Sequence, residues 1–112
     1  MTVRRPLPNL EDPDYPAYSM GAAAELLQVE PAFLRGLGQH GLLTPHRSPG
    51  GHRRFSHNDL LIAARAREVV DEGAPLAAAC RIVQLERELA AARATIAELR
   101  RRLGELEEEP TD

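Results

Sequence analysis

From residue 82 the chain places an apolar residue at alternating steps of three and four. Ile82, Leu89, Ile96 and Leu103 hold one position of a heptad, and Leu85, Ala92, Leu99 and Leu106 hold the other. Over about three and a half heptads such a pattern specifies a helix whose seam closes on another helix. A surface helix folded back on its own domain would not require apolar residues at all eight seam positions. What precedes the seam has room for one small domain.

Composition narrows what that domain can do. Among 112 residues there are 17 alanines, no Trp and four aromatics (Tyr15, Tyr18, Phe33 and Phe55), too little bulk to line a deep catalytic pocket. The single Cys80 excludes an internal disulfide and a multi-thiolate zinc site. With no 18-residue apolar run and no signal-peptide pattern, the chain reads as soluble and cytoplasmic. The net charge of −3 conceals a division along the chain. Residues 31–67 carry Arg35, Arg47, Arg53, Arg54, Arg65 and Arg67 against Asp59 alone, whereas residues 76–112 carry six Arg against eight acids. A basic middle and a mixed-charge tail imply two jobs. All 14 basic residues are Arg, which suits bidentate phosphate contacts and equally suits a GC-rich coding sequence.

Residues 1–17 hold four prolines among Asn and Asp and read as a disordered arm, from which Arg4 and Arg5 can reach a phosphate backbone. Ser19 is placed to cap a short helix over Met20–Leu27, and Pro31 to start a second whose apolar face is Phe33, Leu34 and Leu37. Two short helices with about three residues between them make a helix-turn-helix. From His40 to Phe55, with apolar pieces at Leu42, Leu43 and Phe55, the pattern predicts a hairpin whose tip is Ser48-Pro49-Gly50-Gly51. Basic residues flank that tip as they would a wing. Ser56 and Asp59 form a capping box opening a third helix over residues 57–72, and Gly73 ends it. Pro75 starts a fourth, in which Leu76, Ala79, Cys80 and Val83 face the domain, and Pro110 stops the chain's last helix.

In this order the pieces resemble the MerR family of winged helix-turn-helix transcription regulators over about residues 18–86. The resemblance rests on Leu34-Arg35, the Gly41-to-Pro45 segment, Arg47 through Gly50-Gly51 to Arg53-Arg54-Phe55-Ser56, Asp59-Leu60, and Gly73 ahead of Leu76. The wing and the Arg81-to-Glu86 segment look most like the heat-shock-repressor subgroup. The resemblance implies a mainly α fold: a winged helix-turn-helix with a small β-hairpin wing over residues 18–75, and a helical linker and coiled coil over 76–109 before a tail at 110–112. It further implies a homodimer through an antiparallel coiled coil, bound to double-stranded DNA. Arg35 would sit in the recognition helix, and Arg47, His52, Arg53, Arg54 and Phe55 would make the wing's contacts. Ser19 would cap the first helix near a phosphate. Where the family usually has aromatic and acidic residues this chain has Gly36-Leu37-Gly38, costing roughly 1 kcal/mol per glycine relative to Ala, which points to a helix completed on DNA. Gln28 replaces the usual turn glycine, requiring positive φ of a residue with a Cβ, and Ala63 and Ala66 imply a thin core.

His40, His46, His52 and His57 lie at irregular spacings on different elements, which suits solvated or phosphate-facing side chains better than a metal site. Cys80 falls on an apolar helix face, as a core residue does. No nucleophile triad, carboxylate pair or phosphate loop is recognisable, so neither catalysis nor a cofactor is expected. Two functions remain: a dimeric regulator on promoter DNA, with RNA polymerase or a chaperone as a further partner, and an adaptor using the same scaffold to dock a chaperone or sigma factor. The weak second helix favours the adaptor and the basic middle favours DNA.

Overall fold

The computed structural model describes residues 12–44 and 46–108. Arg4, Arg5 and Pro110 lie outside them. The elements run β1 (Tyr18–Ser19), α1 (Met20–Leu27), α2 (Pro31–Gln39), β2 (His46–Arg47), β3 (Arg53–Phe55), α3 (His57–Asp71) and α4 (Leu76–Glu108).

Local chemistry accounts for each boundary. Ser19 Oγ accepts from the Ala22 amide at 3.1 Å, satisfying a free donor at the start of α1. At the other end Gln28 takes the left-handed conformation (φ 54°), so the chain turns at once into α2. Pro31 opens α2, where its missing N–H costs nothing. Ser56 and Asp59 form the expected reciprocal box: the Asp59 amide donates to Ser56 Oγ at 3.0 Å, and the Ser56 amide to Asp59 Oδ2 at 2.8 Å. Both residues are buried, so the box also satisfies polar groups that water cannot reach. Gly73, at φ 113°, lets the chain reverse between α3 and α4.

The core is small and, apart from Ser56 and Asp59, apolar. Leu34 and Leu37 of α2, Leu60, Ala63, Ala66 and Val69 of α3, and Ala79, Cys80 and Val83 of α4 meet Ala23, Ala24, Leu42, Leu43 and Phe55. Burial of Leu34 or Leu37 stabilises the fold by roughly 1.5–3 kcal/mol each. Ala63 and Ala66 are almost fully buried, and side chains this small permit a close approach of neighbouring helices. The buried face of α3 turns through Val69, with Val70 half-buried against the same core.

Three expectations need correction. Leu42 and Leu43 are core residues in the loop after α2, not hairpin residues. The wing is part of a three-stranded antiparallel sheet ordered β1-β3-β2, because Tyr18 pairs with Phe55 and Ser19 with Arg54. From Asp12 onward the supposed arm is held down: the Asn58 amide donates to the Pro13 carbonyl at 2.9 Å and Asn58 Nδ2 to Asp14 Oδ1 at 2.7 Å. Each amide and carbonyl tied in this way is one fewer backbone group left to solvent.

α4 is one continuous helix of 33 residues. Its first two turns belong to the core, and beyond them Ile82, Leu85, Leu89, Ile96, Leu99, Leu103 and Leu106 are 40–65% exposed. Among the described residues nothing covers this stripe. No helix among them is long and apolar enough to cross a membrane.

Candidate nucleic-acid interface

Burial of one face of α2 decides what the other presents. With Leu34, Gly36 and Leu37 inside, Ala32, Arg35 and Gln39 form an exposed stripe at steps of three and four. Arg35 is an expected site residue. Gln39, one turn further along the same stripe, was not singled out in the sequence, although the i, i+4 relation to Arg35 would have found it. α2 runs unbroken from Pro31 to Gln39 through its two glycines, with Leu34 and Leu37 anchoring it to the core.

The wing stands beside this helix. Its tip is closed by the Gly51 amide donating to the Ser48 carbonyl at 2.8 Å, with Pro49 inside the turn and Gly51 at φ 83°. Arg47 Nη1 donates to the Gly51 carbonyl at 2.9 Å, bracing the tip while keeping its charge at the surface. A cavity of about 130 Å³ separates α2 from the wing, with Gln39 on one wall and Arg47, Arg53 and Arg54 on the other. A second, wider cleft of about 510 Å³ lies between the wing and the α1 N-terminus, bounded by Ser19, His52, Arg53 and Arg54. Arg53 and Arg54 border both, so the wing arginines lie between α2 on one side and the positive end of the α1 dipole on the other.

The expected site residues do not all face outward alike. Ser19, Arg35, Arg47 and His52 are exposed and Arg53 is half-exposed. Arg54 is half-buried, donating from Nη2 to the Ala17 carbonyl at 2.9 Å and from Nε to the Pro16 carbonyl at 3.4 Å, which secures the segment leading into β1. Phe55 is a correction: at 5% exposure it belongs to the core, because alternation along β3 turns it inward. It holds the wing from below.

Acid pairing sharpens the charge. Arg65 is taken by Glu86 and Glu68, and Arg67 by Asp71 at 3.1 Å while its guanidinium lies 5.6 Å from the Phe33 ring centre. Both lie on α3. Among the described residues, Arg35, Arg47, Arg53 and Arg54 have no carboxylate partner. His46 Nε2 lies 3.5 Å from Asp59 Oδ2, linking β2 to the capping box. No group of three His, Cys, Asp or Glu among the described residues could hold a metal ion.

A helix-turn-helix with a basic hairpin beside its second helix defines the class: this is a winged helix-turn-helix protein, mainly helical with a small antiparallel sheet and a long C-terminal helix. The sequence profile of the MerR helix-turn-helix regulatory proteins matches residues 18–86, and the chain belongs to that family. It is 36% identical over 100 residues to the putative heat shock protein HspR of Streptomyces coelicolor, covering 88% of this chain and 66% of that protein. It is 30% identical over 67 residues to the transcriptional repressor CarH of Myxococcus xanthus, covering 59% of this chain and 22% of that one. The chain thus spans just under two thirds of the first relative and about a fifth of the second. The crystal structure of HiNmlR, a MerR-family regulator lacking the sensor domain and bound to promoter DNA, superposes with a TM-score of 0.53 at 26% identity, covering 80% of this chain and 84% of HiNmlR. A MerR-family regulator from Bacillus cereus shares the fold, with a TM-score of 0.52 at 22% identity, covering 85% of this chain and 87% of the other.

Proposed function

We propose that this protein regulates transcription as a homodimer, each copy reading one half-site of promoter DNA through α2 and the wing. The observation that carries the reading is the pair of clefts either side of the wing, bordered by Gln39, Arg47, Arg53 and Ser19, where among the described residues the arginines have no acid partner. Arg35 and Gln39 are the side chains suited to base edges, Arg to guanine and Gln to adenine. Arg47, His52 and Arg53, with the capped α1 terminus, are suited to phosphates, and Arg54 adds charge while holding the segment behind it. Similarity to a putative heat shock protein makes promoters of heat-induced genes the first to examine.

The exposed seam of α4 supplies the dimer. In an antiparallel pair centred at residue 94, Ile82 faces the partner's Leu106, Leu85 the partner's Leu103, Leu89 the partner's Leu99 and Ala92 the partner's Ile96. All eight seam positions are then matched. A slip of one heptad leaves two of them unmatched. Charge does not choose the direction, since Glu86 already pairs with Arg65 and Arg102 with Glu98 inside one chain. Antiparallel pairing places the two domains at opposite ends of the seam, as half-sites on one face of a duplex require.

The deciding experiment is a titration of the protein with random and promoter duplexes across a range of salt. DNA binding through these arginines gives a log–log slope that steepens with each phosphate contact. An adaptor docking a chaperone or sigma factor on the same scaffold gives none, and a flat response would overturn the reading.

A further inference from the structure

The two glycines of α2 look alike in the sequence, yet they are not equivalent. A Cβ on Gly38 would stand in open space, whereas one on Gly36 would lie 2.7 Å from Leu76 Cδ2. Gly36 is buried, and the first residue of α4 occupies the room its missing side chain leaves. Leu76 shares a face with Ala79, Cys80 and Val83, which fix α4 in the core, so the position of Leu76 over Gly36 sets how α4 departs from α2. We propose that the Gly36–Leu76 contact determines the separation of the two half-sites this protein reads. The proposal rests on the dimeric DNA-binding function above.

The leverage follows from helix geometry. Leu76 lies seven residues, or about 10 Å, before Val83, and the middle of the seam lies eleven residues, or about 16 Å, beyond it. Relieving a 2.7 Å approach to ordinary carbon–carbon contact moves Leu76 by about 1 Å. Pivoting about buried Val83, a rigid helix then shifts the seam centre by roughly 1.5 Å relative to α2. The two-fold axis doubles this to about 3 Å, close to the rise of one base pair. A Leu76 rotamer change can absorb a lone methyl, so the informative substitution is Gly36→Leu, whose extra carbons fill the space into which Leu76 would turn.

The test selects duplexes from a library in which two half-sites are separated by spacers of every length. Gly36→Leu is expected to move the preferred spacer by at least one base pair without changing the half-site sequence, and adding Leu76→Ala to return it to the wild-type length. Leu76→Ala alone, with the socket empty, should broaden the profile so that neighbouring spacers bind within about threefold of the best, a difference of under 1 kcal/mol. In parallel, spin labels on Gln39→Cys in the two copies, without DNA, should report a change of about 3 Å in the Gly36→Leu dimer, with Cys80 shielded by burial. Absence of any spacer preference in the wild type, together with a label distance that still shifts in the Gly36→Leu dimer, would overturn the DNA reading and leave the contact as the element that sets dimer geometry. An unchanged spacer optimum together with an unchanged label distance would overturn the proposal. Should Gly36→Leu fail to fold, Leu76→Ala decides: a spacer profile and a distance distribution as narrow as wild type would be fatal.

Discussion

Arg65 grips both carboxylate oxygens of Glu86, donating from Nε to Oε1 at 2.9 Å and from Nη2 to Oε2 at 2.8 Å, and so joins α3 to α4 by a planar fork. The hydrogen bond to Arg65, assisted by its charge, holds the Glu86 carboxyl below its ordinary value of 4.5, and the same pairing raises Arg65. A carboxyl whose folded pKa is depressed contributes stability above its unfolded pKa and loses it as pH falls through the folded one. Wild type should therefore be more stable than Glu86→Gln at neutral pH, with the two melting temperatures converging below about pH 4.5. Thermal melts from pH 7 to 3 provide the check, and a constant offset would contradict it.

The adjacent wing arginines should separate in their effects. Arg53→Ala is expected to weaken specific and random duplexes by similar factors and reduce the salt slope by about one, leaving thermal stability unchanged. Arg54→Ala should destabilise the fold by about 1 kcal/mol through its lost carbonyl contacts and expose residues 12–17 to limited proteolysis. Equal effects of both on stability and on salt slope would refute the division.

On α2 the opposite signature is expected. Arg35→Ala and Gln39→Ala should each relax sequence preference by roughly 1–3 kcal/mol at one position while preserving affinity for random DNA. Binding-site selection with each variant measures this, and an unaltered preferred sequence in both would mean the stripe does not read bases.

Leu89→Glu places a charge in the middle of the proposed seam, where no partner can neutralise it. Light scattering should find a monomer, and operator affinity should collapse because one domain alone offers few phosphate contacts. A monomer that retains wild-type affinity would exclude a dimeric reader.

What could be read before folding was local. Ser19, Gln28, Pro31, the Ser56–Asp59 box and Gly73 act within about four residues of themselves, and the heptads need only helical periodicity, so each was legible. The pairing of β1 with β3, the grip of Arg54 on Pro16 and Ala17, the anchoring of Asp14 by Asn58 and the seat of Leu76 on Gly36 all join residues about 40 apart. No periodicity encodes them. Phe55 was misassigned for a related reason: in a strand of three residues, one step of register separates a surface aromatic from a core one.

The helix that completes the domain core with Ala79, Cys80 and Val83 is the same helix that carries the seam. In a dimer built on it, pairing adds to the stability of a helix the domain core also uses, so the stability of the paired form varies with protein concentration. Each tenfold dilution should lower the unfolding free energy of the pair by about 1.4 kcal/mol. Abundance would then tune how much folded regulator exists at a given temperature, with no bound effector needed to do so.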